Sequence, residues 1–179
     1  MNRHTPPVVA VTGCKNVGKT TVIEGLLHEL IAREYRVATL KHSHCGFDVD
    51  RRGKDSWRHR QAGAVDTAML GPEGVAVIRD GDPDPAEAAR WLFPDADLVL
   101  AEGFHWHRLA RVEVLDSEGR HRDAHPQGQV IAQLPCRYGE GDILYVVDAL
   151  QRVIHSSRSK AGASGPWVGD ISKPAVRRG

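Results

Sequence analysis

The residues Gly13-Cys14-Lys15-Asn16-Val17-Gly18-Lys19-Thr20 match the spacing G-x-x-x-x-G-K-[ST] without a substitution. Glycines at the two fixed positions let the backbone turn tightly and come close to phosphate oxygens, with successive N–H groups aimed inward. Lys19 is placed to reach the β- and γ-phosphates of a nucleotide, and the Thr20 hydroxyl to bind Mg²⁺. Thr20 and Thr21 open a helix whose positive dipole end faces the same phosphates. A chance glycine-rich turn would lack the right flanks. Here an apolar β-branched run, Val8–Thr12, precedes the motif and an amphipathic stretch follows it. The chemistry expected is binding of a nucleoside triphosphate.

Further candidates are sorted by the rule that ligands sit beyond the carboxyl ends of parallel strands. Asp97 begins the run Asp97–Ala101 and belongs at the far edge from the phosphates. Glu102 ends that run and is expected at the Mg²⁺–phosphate site, as a metal-linked or water-orienting acid. Gly103 beside it allows close approach of the backbone to a ligand. The polar loop after the second strand, His42 to Lys54, carries Asp48 and Asp50 as candidate Mg²⁺ ligands, and Arg51, Arg52 and Lys54 as phosphate contacts. His42, His44 and Cys45 in that loop, with His105 and His107 after Glu102, raise a second possibility of a transition-metal site. Neither group has the spacing of a structural zinc site.

The elements that must position these groups follow from periodicity. Val22, Ile23, Leu26, Leu27, Leu30 and Ile31 recur at helical spacing, and Arg36–Lys41 reads as the next strand. That strand–helix–strand opening predicts a parallel pair with a right-handed crossover. Asp55 or Ser56 is expected to cap a helix through Gln61. Strands are expected at Asp66–Leu70 and Val75–Arg79, separated by the turn Gly71–Gly74. Asp84 and Pro85 start a helix to about Leu92. Strands follow at 97–101, 111–116 and 130–132. Asp142 is expected to cap a last helix with Ile143, Val146, Val147, Leu150 and Ile154 on its apolar face. These elements predict one three-layer α/β domain over residues 1–155 with a mostly parallel sheet. From Ser156 the chain is rich in Ser, Gly, Lys and Arg, and residues 156–179 read as a disordered tail.

Composition narrows the function. The 179 residues suffice for one domain, and 24 basic against 23 acidic side chains favour neither nucleic acid nor a membrane surface. Three cysteines without a C-x-x-C pair read as reduced thiols, and no run approaches a membrane span of about 18 apolar residues. A cytoplasmic protein is expected.

Four blocks of the chain resemble the molybdopterin–guanine dinucleotide biosynthesis protein B (MobB) family. They are Gly13–Thr20; Leu40-Lys41-His42 with His44; Phe47-Asp48-Val49-Asp50 leading to Gly53-Lys54-Asp55-Ser56 and Ala62-Gly63-Ala64; and Asp97–Phe104. Cys45 stands where many relatives have a second histidine, and His105 where many have lysine. The resemblance implies a P-loop NTPase fold of the dethiobiotin-synthetase-like branch, GTP and Mg²⁺ as cofactors, slow hydrolysis and a homodimer. It implies as partner the guanylyltransferase that joins GMP to molybdopterin, with the molybdopterin cofactor itself as a possible ligand. Carried over, Lys19 and Thr20 match the phosphate and Mg²⁺ residues, and Glu102 the acid after the later strand. Guanine preference rests on the resemblance, because the chain has no [NT]-K-x-D motif. Two other readings remain open from the residues: a nickel or zinc insertion chaperone, and a small-molecule kinase or ligase using the same phosphate site.

Overall fold

A computed structural model describes residues 5–43, 46, 50–121 and 128–160. His44, Cys45 and Asp48 lie outside the described residues, as does the chain beyond residue 160.

A five-stranded sheet forms the centre, in the order β2-β5-β1-β6-β7, and every pairing in it is parallel. Its strands are β1 (Val8–Thr12), β2 (Val37–Lys41), β5 (Leu98–Glu102), β6 (Ala110–Val114) and β7 (Val130–Leu134). The other elements are α1 (Lys19–Ala32), α2 (Asp55–Gln61), β3 (Asp66–Gly71), β4 (Gly74–Arg79), α3 (Pro85–Leu92) and α4 (Glu140–Lys160). β3 and β4 form a separate antiparallel hairpin.

Strands β1 and β5 are apolar on both faces, as strands covered on both sides must be. Val9, Val11, Leu98, Leu100, Val112 and Val114 pack under α1 and α4, through Leu26, Leu30, Val147 and Leu150. The alternate positions Val8, Val99 and Ala101 pack with Ala89 of α3 and with Phe104. This gives the three layers expected.

The structure revises four details. β1 and β2 run parallel but are not neighbours, because β5 inserts between them and bonds to both. Helix α2 starts at Asp55 after Lys54, with no side-chain cap, and the Ser56 hydroxyl bonds Asp50 instead. Helix α4 starts before Asp142, whose carboxylate reaches back to the Gly139 N–H (2.8 Å), the return half of a capping box. The same helix runs to Lys160, past the residue-155 boundary read from composition. Ile154 is buried, and Arg158 donates to Asp97 Oδ1 (2.7 Å), so the polar last turn is anchored to the sheet. Among the described residues no helix is long and apolar enough to cross a membrane.

Candidate functional site

The loop Gly13–Gly18 leaves the carboxyl end of β1, at the centre of the sheet, and enters α1. Gly13 sits at φ +145°, and a Cβ there would lie 2.5 Å from the Val114 carbonyl oxygen and 3.0 Å from Val17 Cγ1. Only glycine fits, because the obstacle is the backbone of β6. Gly18 occupies φ +98° in open space, and Asn16 takes φ +63°, a conformation asparagine tolerates. No side chain caps α1, so its first-turn N–H groups face the loop. Lys19 Nζ crosses the loop and donates to the carbonyls of Gly13 and Cys14, 2.7 Å each. The turn of Cys14, Lys15, Asn16 and Val17 is closed by the Val17 N–H on the Cys14 carbonyl at 3.4 Å.

β5 brings Glu102 to this loop. In register, Glu102 lies beside Val11 of β1 and Lys41 of β2. The three strand ends are joined further by Gly103 N–H to the Val11 carbonyl (3.1 Å) and His42 N–H to the Glu102 carbonyl (3.2 Å). The Thr20 hydroxyl donates to Glu102 Oε2 at 3.2 Å, and Lys41 Nζ lies 3.4 Å from the same oxygen. Glu102 is mostly buried whereas the Lys41 side chain is 66% exposed. A hydroxyl and a carboxylate oxygen facing each other beside a phosphate cradle fit Mg²⁺, which takes hard oxygen ligands and completes its shell with phosphates and water.

Other expected residues are placed elsewhere. Asp97 lies at the opposite sheet edge, where its carboxylate accepts from the Arg36 N–H (2.8 Å) and from Arg158. Asp50 is not joined to Thr20 or Glu102 by any described contact. Its two oxygens accept from Ser56 Oγ (2.6 Å) and Arg60 Nη1 (3.2 Å), and Arg60 also holds Asp80. The structure therefore gives Asp50 the task of fixing the start of α2. His107 Nδ1 is 3.3 Å from Asp84 Oδ2, at the capped start of α3. His42 and His105 make ring contacts with Trp106 rather than converging on one point. Among the described residues no three His, Cys, Asp or Glu side chains form a group that could hold a metal ion.

Two features were not read from the sequence. Trp106 stands exposed beyond Glu102, and a lone tryptophan carries no motif. The second is a buried polar cluster against β1. Glu113 accepts from Arg111 Nε (2.9 Å) and Gln133 Nε2 (2.8 Å), while His121 contacts Thr12 Oγ1 through Nε2 (3.1 Å) and lies 3.9 Å from Glu113 Oε1 through Nδ1. Burial pulls the Glu113 pKa upward, but the hydrogen bonds from Gln133 and Arg111 and the charges of His121 and Arg111 outweigh it, leaving it below the ordinary glutamate range. Opposite charges two residues apart on one strand face were the available signal. Thr12 immediately precedes Gly13, so this cluster braces the entry to the loop.

The family described as "Molybdopterin guanine dinucleotide synthesis protein B" matches residues 8–134. A Haemophilus influenzae protein named molybdopterin-guanine dinucleotide biosynthesis adapter protein is 38% identical over 110 residues, covering 59% of this chain and 61% of the relative. The Escherichia coli protein of the same name is 34% identical over 122 residues, covering 65% of this chain and 69% of the relative. The chain thus spans roughly two thirds of the length of these relatives. A crystal structure of molybdopterin-guanine biosynthesis protein B superposes with TM-score 0.58 at 23% identity, over 83% of this chain and 99% of the other. The Bacillus subtilis MobB structure gives TM-score 0.58 at 24% identity, over 82% and 96%. These superpositions bear on the fold alone.

Proposed function

The chain belongs to the molybdopterin guanine dinucleotide synthesis protein B family, and from that membership we propose that it is a GTP-binding adapter with weak GTPase activity. It serves the guanylyltransferase that converts molybdopterin to its guanine dinucleotide form, in the cytoplasm. The observation that carries the reading is the Thr20–Glu102 contact beside a loop whose Gly13 admits no side chain. The relatives named as adapter proteins supply the biological role.

In the proposed mechanism, loop N–H groups from Gly13 to Thr21 bind the β- and γ-phosphates. Lys19 exchanges its two carbonyl partners for phosphate oxygens, as a charge-assisted and therefore stronger contact. Thr20 and Glu102 would hold Mg²⁺, which neutralises charge on the phosphates when bound. Glu102, at the γ-phosphate end, orients water. Hydrolysis is slow for a stated reason. Efficient P-loop GTPases use a positioned glutamine and an arginine finger, the latter contributing roughly 10³–10⁵ in rate. The segment Gly103–Arg108 holds no glutamine.

The homodimer expected of the family draws support from the β3–β4 hairpin. A two-stranded ribbon is marginal alone, and this one leaves Leu70, Val75 and Val77 exposed. A second copy covering it would account for both facts. The test of the function is calorimetric titration with GTP and with ATP, each with Mg²⁺, followed by co-purification with the guanylyltransferase. Preference for GTP that Lys19→Ala abolishes supports the reading. Equal or stronger ATP binding overturns it in favour of a kinase or ligase.

A further inference from the structure

One oxygen of Glu102 carries two partners, and they come from different elements. The Thr20 hydroxyl donates to Oε2 at 3.2 Å from the first turn of α1, and Lys41 Nζ lies 3.4 Å from the same atom, at the end of β2. Among the described residues no other carboxylate pairs with Lys41. Lys19, the other lysine of the site, donates instead to the Gly13 and Cys14 carbonyls. Lys41 is thus the counter-ion of Glu102 in this structure.

The base of Lys41 is fixed and its head is not. Lys41 is in register with Glu102 across β2 and β5, and the next N–H, that of His42, donates to the Glu102 carbonyl at 3.2 Å. Its side chain is nevertheless 66% exposed, on a flexible four-carbon stem. Strand order sets what the ammonium can turn toward. β5 lies between β1 and β2, so Lys41 stands on the side of Glu102 away from the Gly13–Gly18 loop, roughly 10 Å out from the strand that feeds it. With the loop amides and Lys19 on the β1 side, this is the terminal-phosphate side of a bound nucleotide. Lys41 meets a divalent cation on Thr20 and Glu102 as a like charge. A lysine parted from its carboxylate takes the nearest anion, and a phosphate oxygen gives it a charge-assisted hydrogen bond.

Resting on the nucleotide-binding reading above, we propose that Lys41 is a second phosphate lysine: it neutralises Glu102 while no cation is held there, and turns onto the terminal phosphate of a nucleoside triphosphate when a divalent cation takes that oxygen. The exchange makes recognition of the terminal phosphate depend on the cation. It also separates a triphosphate from a diphosphate, which presents nothing at that position.

The test is calorimetric titration of the full chain with a non-hydrolysable GTP analogue and with GDP, each in saturating Mg²⁺ and in EDTA. Lys41→Met should weaken the Mg²⁺-loaded triphosphate roughly tenfold or more, the scale of one hydrogen bond to a charged group, and leave Mg²⁺–GDP within about twofold of wild type. Lys41→Arg should keep most of the triphosphate preference. In EDTA, wild type and Lys41→Met should bind the analogue alike, because Lys41 then stays on Glu102. The Mg²⁺ concentration that half-saturates the GDP complex should fall in Lys41→Met, since no ammonium competes for Oε2. A residue that merely shaped the end of β2 would instead weaken triphosphate, diphosphate and Mg²⁺ together. A triphosphate preference that is absent in wild type, or unchanged in Lys41→Met, overturns the proposal, as does an equal loss for both nucleotides or a loss that persists in EDTA. Each of these outcomes leaves the nucleotide site standing. A wild type that binds neither nucleotide removes the site itself, and the proposal falls with it.

Discussion

Glu113→Gln isolates the buried cluster that braces the phosphate loop. Glu113 is 4% exposed and Arg111 6% exposed, so the pair is shielded from water. Glutamine fills the same volume but can accept only through one oxygen. Its oxygen keeps Arg111 Nε while its amide N–H₂ faces Gln133, which must turn its own amide over to accept through Oε1. Arg111 keeps the Gly128 carbonyl (2.5 Å) but no longer faces the Glu113 carboxylate. Removing one partner of a buried pair costs about 3–5 kcal/mol, and the oxygen that glutamine retains places this change near the lower figure. For a chain of this size that is a fall in Tm of roughly 6–12 °C. Because the folded-state pKa of Glu113 is depressed, its contribution is complete above the ordinary glutamate range and is lost as pH falls through the folded value. Thermal melts from pH 7 into the acid range should show the two proteins far apart at neutrality and converging in acid. The double variant Arg111→Met with Glu113→Met should lie closer to wild type than the single change, since both members of the pair are then removed together. A Glu113→Gln protein as stable as wild type at pH 7, or a constant gap at all pH values, would refute the argument.

Three further changes probe the phosphate site. Lys19→Ala should lower GTP affinity by roughly 100-fold, the scale of two charge-assisted hydrogen bonds, with Tm nearly unchanged; calorimetry and melting separate the two. Glu102→Gln should spare GTP binding yet slow phosphate release by roughly 10–100-fold and raise the Mg²⁺ requirement. Loss of binding equal to that of Lys19→Ala would show Glu102 to be misassigned. Gly13→Ala places a Cβ 2.5 Å from the Val114 carbonyl on top of a left-handed φ, whereas Gly18→Ala meets only the φ penalty. Denaturant unfolding should give about 3–5 kcal/mol for the first, strain plus overpacking, and about 1–3 kcal/mol for the second.

The strand–loop–helix at Gly13–Thr20 was legible in the sequence because its residue types are tied to backbone geometry position by position. Gly13 must be glycine to clear β6, Lys19 must reach back over the loop, and Thr20 must stand one residue beyond it. The position of Glu102 beside that loop was legible for a related reason, since strand polarity alone decides which end of β5 lies next to it, and the same argument placed Asp97 at the far edge. Strand order was not legible. The insertion of β5 between β1 and β2 depends on where a crossover lands, and local periodicity carries no record of that. Asp50 was read as a metal ligand because a carboxylate in a polar loop looks alike whether it faces Mg²⁺ or Arg60. Its described partners are Ser56 and Arg60.

Strand β6 has the most physical content. Arg111 and Glu113 alternate with Val112 and Val114, and in a strand that pattern says one face is wet. In this fold both charges are buried, and each bonds the other while Gln133, His121 and the Gly128 carbonyl add further partners. Polarity of a residue fixes what it needs, not where it sits. A carboxylate needs donors, and a neighbouring strand and a returning loop supply them as water would. The consequence reaches the site, because Thr12, the last residue before the phosphate loop, is bonded to that cluster through His121. Bracing the loop entry with charge makes its position depend on an ionised Glu113. If that coupling is real, Glu113→Gln should weaken GTP binding as well as lower Tm, whereas the volume-matched double variant should recover stability before it recovers affinity. Titration of both variants with Mg²⁺–GTP at a temperature well below either Tm measures this directly. Wild-type affinity in a destabilised Glu113→Gln protein would mean that the cluster holds the sheet and not the loop.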